Sequence, residues 1–255
     1  MSGAAPTGAM RLRAARLGAR TVLAEASRTA PFHPGPAHYH DPGGAAEVIV
    51  QEVGPGVFPG DRLRAEVIVE AGAALAVRGQ GATRLYPAPP GAVAVISTSL
   101  RVAAGASLWW LPGDLLPYAD ASLEALTEVD LAPDARFLLL EIVTAGRAAR
   151  GERDAYRRLD LRLRIDRGGE PLLRERALLD PAARPPARGG YDCSALLVLA
   201  GFPPLDPAGL RVPDGLAGMD SHGGLTVARA VGNSAFGLRE ALLAAAREAL
   251  PGPGR

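Results

Sequence analysis

The sequence predicts a mainly β protein: stacked, β-helix-like strands in a single domain, with one C-terminal α-helix. Three observations carry this. Gly (31) and Pro (23) punctuate the whole 255-residue chain, which leaves little room for long helices. Several segments alternate apolar and polar residues with the period of a half-buried strand. A weak repeat recurs: Val69-Glu-Ala-Gly72-Ala-Ala-Leu75, Val102-Ala-Ala-Gly105-Ala-Ser-Leu108 and Leu131-Ala-Pro-Asp134-Ala-Arg-Phe137.

Taken in chain order, residues 1–10 are expected to be disordered. In Arg62–Glu70, Leu63, Ala65, Val67 and Val69 face one way, while Arg62, Arg64, Glu66 and Glu70 face the other. The Gly and Asp positions of the repeat are 33 and 29 residues apart. Both residue types tolerate a left-handed turn, and the Ala beside each lets turns approach closely. A period of that size points to stacked β units, although the same pattern also suits an ordinary hairpin. Phe137–Val143 and Ala195–Leu199 are almost continuously apolar, as expected of strands covered on both faces. Arg158–Asp166 alternates again, and Arg167-Gly-Gly-Glu170 turns it into Leu172–Leu179. Arg184–Gly190 reads as an exposed loop. Leu225–Val231 is the last strand, Asn233 or Ser234 a cap, and Ala235–Leu250 an amphipathic helix with Phe236, Leu243 and Leu250 at heptad spacing.

Composition excludes several function classes. Apolar residues make up 48% and charged residues 22%, so the chain can bury a core. All 28 basic residues are Arg; without Lys there is no phosphate-loop lysine and no Schiff-base amine. A net charge of +1 gives no electrostatic case for nucleic acid. No apolar run is long enough for a membrane helix, and a single Cys fits a reducing cytoplasm.

Candidate chemistry is sparse. Gly232-Asn-Ser234-Ala-Phe-Gly237 misses the nucleophile-elbow spacing by one residue, and no His follows position 222, so Ser234 reads as a cap. His38-Tyr39-His40 with Glu47 could place two imidazoles and a carboxylate on one metal ion, as a cupin-like metal-dependent enzyme would; the alternative is a pair of structural or solvent-exposed loop His. Between Arg147 and Arg188, twelve Arg meet seven acids, giving a solvated strand face or a surface for an acidic protein. Cys193 reads as a small buried hydrophobe, and Trp109-Trp110 as core or interface. Asp61, after a Gly/Pro-rich bend, and Glu141, after Phe137–Leu140, are acids among apolar residues. Either Arg147 or Arg150 pairs them, or they face an internal channel and bind a divalent ion transiently.

Four segments in order resemble the UreD (UreH) family of urease accessory proteins. These are Gly60-Asp61-Arg-Leu63, Gly79-Gln80-Gly81-Ala82-Thr83-Arg84-Leu85-Tyr86, Leu108-Trp-Trp-Leu-Pro112 with Pro117-Tyr118, and Gly146-Arg147-Ala-Ala-Arg150-Gly151-Glu152. The chain departs from the family pattern at Gln51-Glu52, where members often carry His, and at Gly113, where an acid is usual and Asp114 comes one place later. The resemblance implies a non-enzymatic cytoplasmic chaperone with a helical β-stack. It would bridge apo-urease to a UreF-like protein and, through that, to a UreG-like nickel-carrying GTPase, with nickel transiently bound and no resident cofactor. On that reading Asp61, Glu141 and Glu152 lie on or near the ion path, Arg147 and Arg150 keep the carboxylates ionised, and Phe236, Leu242 and Leu243 either dock a partner or pack the last helix on the chain's own sheet.

Overall fold

Period-2 alternation becomes a two-sheet stack in the computed structural model, which describes residues 5–40, 43–183 and 188–249. The strands run β1 (Gly8–Leu17), β2 (Arg20–Arg28), β3 (Phe32–His38), β4 (Ala46–Glu52), β5 (Arg62–Val69), β6 (Ala74–Gly79), β7 (Thr83–Leu85), β8 (Ala94–Val102), β9 (Ser107–Leu111), β10 (Leu115–Pro117), β11 (Ser122–Leu131), β12 (Arg136–Thr144), β13 (Arg158–Arg167), β14 (Glu170–Leu179), β15 (Cys193–Ala200), β16 (Gly215–His222) and β17 (Leu225–Gly232), before helix α1 (Ala235–Ala249). The first sheet has the order β14-β13-β11-β8-β5-β1-β2 and the second β16-β17-β15-β12-β9-β6-β4-β3.

The chain climbs by crossing between sheets. Strands β5, β8, β11 and β13 are parallel neighbours in the first sheet, and β4, β6, β9 and β12 in the second. The three repeat segments are the arcs from β5 to β6, β8 to β9 and β11 to β12, not hairpins. They hydrogen-bond to one another: Gly72 N–H donates to Ala104 C=O (3.0 Å), Ser107 N–H to Ala73 C=O (2.9 Å) and Arg136 N–H to Ala106 C=O (3.0 Å). Gly72 and Gly105 take positive φ there (68° and 64°), a conformation that a side chain would strain.

The inner faces of the sheets bury Val67, Leu75, Leu100, Leu108, Leu131, Phe137 and Leu139 in one core. A second core lies on the outer face of the second sheet. There Leu138, Leu140 and Ile142 of β12 and Leu197 and Leu199 of β15 pack under Leu238, Leu242, Leu243 and Ala246 of α1. This explains the continuous apolar runs: β12 and β15 are covered on both faces. It also explains the tryptophans, since Trp110 faces the inter-sheet core and Trp109 the helix. The outer face of the first sheet is polar, laced by cross-strand pairs such as Arg11–Glu66 (2.8 Å) and Arg13–Glu70 (2.5 Å).

Three expectations change. Order begins well before residue 10: Gly8–Ala14 pair in parallel with Leu63–Val69 of β5, so their backbone is saturated by the sheet; residues 1–4 lie outside the described residues. Of the expected Arg184–Gly190 loop, 184–187 lie outside the described residues, and Arg188 is buried beside Asp154 and Tyr156 rather than exposed. On α1 the buried stripe is Leu238, Leu242, Leu243 and Ala246, while Phe236 is 74% exposed; Leu250 lies outside the described residues. Ser234 is the cap, its Oγ accepting from Gly237 N–H at 3.0 Å.

Candidate functional site

Four long connections fall on the edge opposite the repeat arcs, where the chain returns from the second sheet to the first. Residues 53–61, 80–93, 112–121 and 145–157 make these returns, and they carry the four segments singled out above. The returns bond to one another. Val57 N–H donates to Arg84 C=O (2.8 Å), Tyr86 N–H to Val57 C=O (2.9 Å), and Tyr118 N–H to Leu85 C=O (3.0 Å). Strand β10 pairs with both β7 and β12. Glycines set the spacing: a Cβ on Gly113 would lie 2.2 Å from Gly81 O, and one on Gly79 would lie 2.4 Å from Gly113 N.

This stacking lines up side chains from all four returns. Phe58 stacks on Tyr86 (centroids 4.5 Å apart), Tyr86 tilts against Tyr118 (5.1 Å), and the Arg147 guanidinium lies 4.0 Å from the Tyr118 centroid. Arg147 closes the ladder with a bidentate pair to Glu152 (Nε–Oε2 2.8 Å, Nη2–Oε1 2.5 Å), and Glu152 also accepts from Ala119 N–H (3.2 Å). The hydrogen bond and charge of Arg147 hold the Glu152 carboxyl below the usual range. Phe58 at the other end is exposed. An aromatic strip ending in Arg is the composition that anchors protein interfaces.

Glu141 lies on the inner side of β12, in the same alternation as Phe137, Leu139 and Val143. It lies in the wall of two cavities. One, of about 270 Å³, lies between the sheets and is bounded by Glu52, Thr83, Thr98, Thr127, Trp110 and the backbone of Gly79, Gly81 and Gly113. The other, of about 350 Å³, lies between β14 and β16–β17 and includes Glu175, Leu179, Leu216 and Arg229. Glu141, Leu161 and Arg162 are common to both. Burial, with no charged partner among the described residues, pushes the Glu141 carboxyl up to about 7. Glu52 is the second inward acid, missed at the sequence level, although Ala46, Val48, Val50 and Glu52 share one face of β4. It touches water but is crowded by the cavity mouth. That crowding raises its carboxyl, against a hydrogen bond from Thr83 Oγ1 (2.8 Å) and the charge of Arg84.

The other expected site residues are placed elsewhere. Asp61 closes its own turn, accepting from Phe58 N–H (2.8 Å), and lines neither cavity. Arg147 pairs with Glu152, not with Glu141 or Asp61, and Arg150 sits in a single 3₁₀ turn beside it. Gly60, Gly146 and Gly151 take positive φ at the bends (90°, 104° and 77°). Gln80 N–H donates to Val50 C=O (2.9 Å), and Pro112 C=O accepts from Arg239 of α1 (3.4 Å). Asp114, in place of an acid at 113, pairs with the same Arg239. Leu242 and Leu243 are buried in the chain's own second core, so only Phe236 of the docking trio is on the surface. His38 and His40 stack with ring centroids 6.1 Å apart, but Glu47 is engaged by Arg78 (3.2 Å). Among the described residues, no three His, Cys, Asp or Glu converge as a metal centre would require.

The architecture therefore defines a class: a two-sheet β-stack that presents a stacked edge of side chains and encloses acid-bearing cavities. The sequence as a whole matches the family model for the UreD urease accessory protein over residues 6–252, and the chain belongs to that family. It is 36% identical over 188 residues to a urease accessory protein UreD from Sorangium cellulosum, a match covering 73% of this chain and 59% of that relative. A UreD from Dechloromonas aromatica is 33% identical over 240 residues (88% of this chain, 82% of the relative). One from Opitutus terrae is 35% identical over 198 residues (76% and 68%). These relatives are named as accessory proteins rather than enzymes, which does not favour the cupin-like alternative built on His38, His40 and Glu47. No helix among the described residues is long and apolar enough to cross a membrane.

Proposed function

We propose that this chain serves urease maturation as a bridging scaffold that also gives nickel an enclosed route. The observation that carries the reading is Glu141: an unpaired inward carboxylate in the wall shared by two cavities. A single carboxylate assisted by hydroxyls of Thr83, Thr98 and Thr127 holds a divalent cation weakly, which suits cargo that must leave again. Glu52 at the mouth of the first cavity gives the ion a preceding oxygen ligand. The stacked edge from Phe58 to Glu152 is the docking surface for a UreF-like partner, which in turn holds a UreG-like GTPase; apo-urease is the recipient.

The test is co-expression with the urease subunits and the remaining accessory proteins, reading complex recovery and urease nickel content separately. Glu141→Leu should leave the complexes intact while lowering the nickel content several-fold. Full nickel loading by that variant would sink the route. Recovery of the chain without any partner would sink the bridge.

A further inference from the structure

Four strands form the ends of the two sheets, and three of them are guarded against pairing. Strand β3 carries Pro34 and Pro36 and a register break between Pro34 and Ala37. Strand β2 carries Arg20, Glu25 and Arg28 and faces a register break at Arg13/Ala14. Strand β14 carries Pro171, Arg174, Glu175 and Arg176, with a break at Ile165/Asp166. These are the devices by which sheet edges avoid adding strands. Strand β16 is the least guarded: it has no proline and no register break. Its eight residues pair with β17 without a break from Gly215 to His222, it contains no Pro or Arg, and Asp220 is its one acid. Leu216 on it is 65% exposed.

Among the described residues, the same end of the stack is open. At the opposite end β2 packs on β3 and β4. Between β14 and β16 lies instead the cavity of about 350 Å³, crossed by the Arg229–Glu175 ion pair (2.6 Å). Stacked β architectures need their terminal strands covered.

We infer that β16 pairs antiparallel with β16 of a second copy of this chain, making an isologous dimer with one continuous sheet. The strand is self-complementary in a register centred on Met219. Gly201 N–H donates to Gly224 C=O (2.9 Å) in the β15–β17 register, so odd-numbered residues of β17 bond even-numbered residues of β16, and the odd-numbered residues of β16 direct their backbone outward; the Asp220 carboxylate holds the outward Ser221 N–H (2.8 Å), a bond that the pairing displaces. Two-fold pairing through those residues sets Met219 opposite its counterpart and Ala217 opposite Ser221. On the other face, Leu216 then lies opposite His222, and Gly218 opposite Asp220, so no like charges meet. A strand-only contact is at the small end of stable interfaces, so the dimer is weak and concentration-dependent.

Gly218 makes the register testable, because a Cβ there meets nothing within 4 Å and the substitution leaves the fold unstrained. Sedimentation of the full chain from micromolar to hundreds of micromolar should show reversible dimerisation. Gly218→Asp sets two Asp–Asp pairs across the two-fold and should raise Kd by roughly fivefold; Gly218→Lys sets two Lys–Asp pairs and should lower it by a similar factor. Backbone amides of Ala217 and Met219 should gain exchange protection as concentration rises. A monomer at every concentration overturns the inference, whether or not another urease-maturation protein then protects β16. Equal weakening by both variants overturns the register and with it the pairing proposed.

Discussion

The guanidinium of Arg147 rests 4.0 Å from the centroid of the Tyr118 ring while its nitrogens hold Glu152. One side chain thus ties the third return to the fourth by a cation–π contact and a forked ion pair. Arg147→Ala should lower stability, because Glu152 loses its partner while keeping its place beside the Ala119 amide. Arg147→Lys should recover only part of this, since an ammonium cannot match the fork. Denaturant unfolding of the three proteins, run beside partner pull-downs, gives the ordering.

Glu141 makes stability depend on pH. Its carboxyl titrates near 7 when folded and near 4.5 when unfolded, so the folded state holds the proton more tightly. Stability is therefore full below about pH 4.5 and falls as pH rises through 7, by up to about 3 kcal/mol in all. Glu141→Gln should flatten that decline, making the variant the more stable protein at pH 8 and leaving little difference at pH 5. Thermal melts across that range would show the curves converging at low pH; parallel curves would contradict the assignment.

Asp160 has the opposite sign. Its side chain is covered by Arg158, Arg162 and Arg176, the last two at 2.7 and 2.9 Å. The covering guanidinium groups are themselves half-exposed, so the site is roofed by charge near the surface rather than sunk in the core. Hydrogen bonds from Arg162 and Arg176 press its carboxyl far below the usual range. The stability this supplies is present above about pH 4 and is lost as pH falls below it. Asp160→Asn should cost about 2 kcal/mol at pH 7, discounted for solvent screening. The gap from the parent should narrow in acid.

Gly113→Ala should cost about 1–3 kcal/mol, since the new methyl would lie 2.2 Å from Gly81 O and the obstacle is backbone rather than a movable side chain. Gly81→Ala, whose Cβ meets nothing within 4 Å, should be nearly silent. Comparing their melting temperatures separates close approach from a general loss of glycine flexibility.

Much of this fold is legible in the residues. Alternation in Arg62–Val69 and Arg158–Arg167 gives strands with one wet face, and the Gly72/Gly105 spacing marks arcs that stack. The runs at β12 and β15 show double coverage before the covering layer is known. What the chain pattern does not encode is which turn meets which. The Phe58–Tyr86–Tyr118–Arg147 ladder joins residues up to ninety positions apart, and its register follows from the parallel pairing of whole strands. Glu141 stands out because it interrupts an apolar run, whereas Glu52 ends an ordinary alternating strand and gives no such signal. Asp61 and Glu152 are equally acidic in the sequence; only the structure separates a turn-closing carboxylate and a paired one from a carboxylate facing a void.

The absence of a side chain at residue 113 has an effect at a distance. The acid of that return comes one place later, at Asp114, and engages Arg239 in the N-terminal half of the C-terminal helix, which also donates to Pro112 C=O. The helix is thus both a lid over Trp109 and a tether for the third return. Deleting it would do more than bare a greasy surface: the edge that carries Tyr118 would lose its moorings, and a tail truncation would reach the aromatic ladder without removing any residue in it.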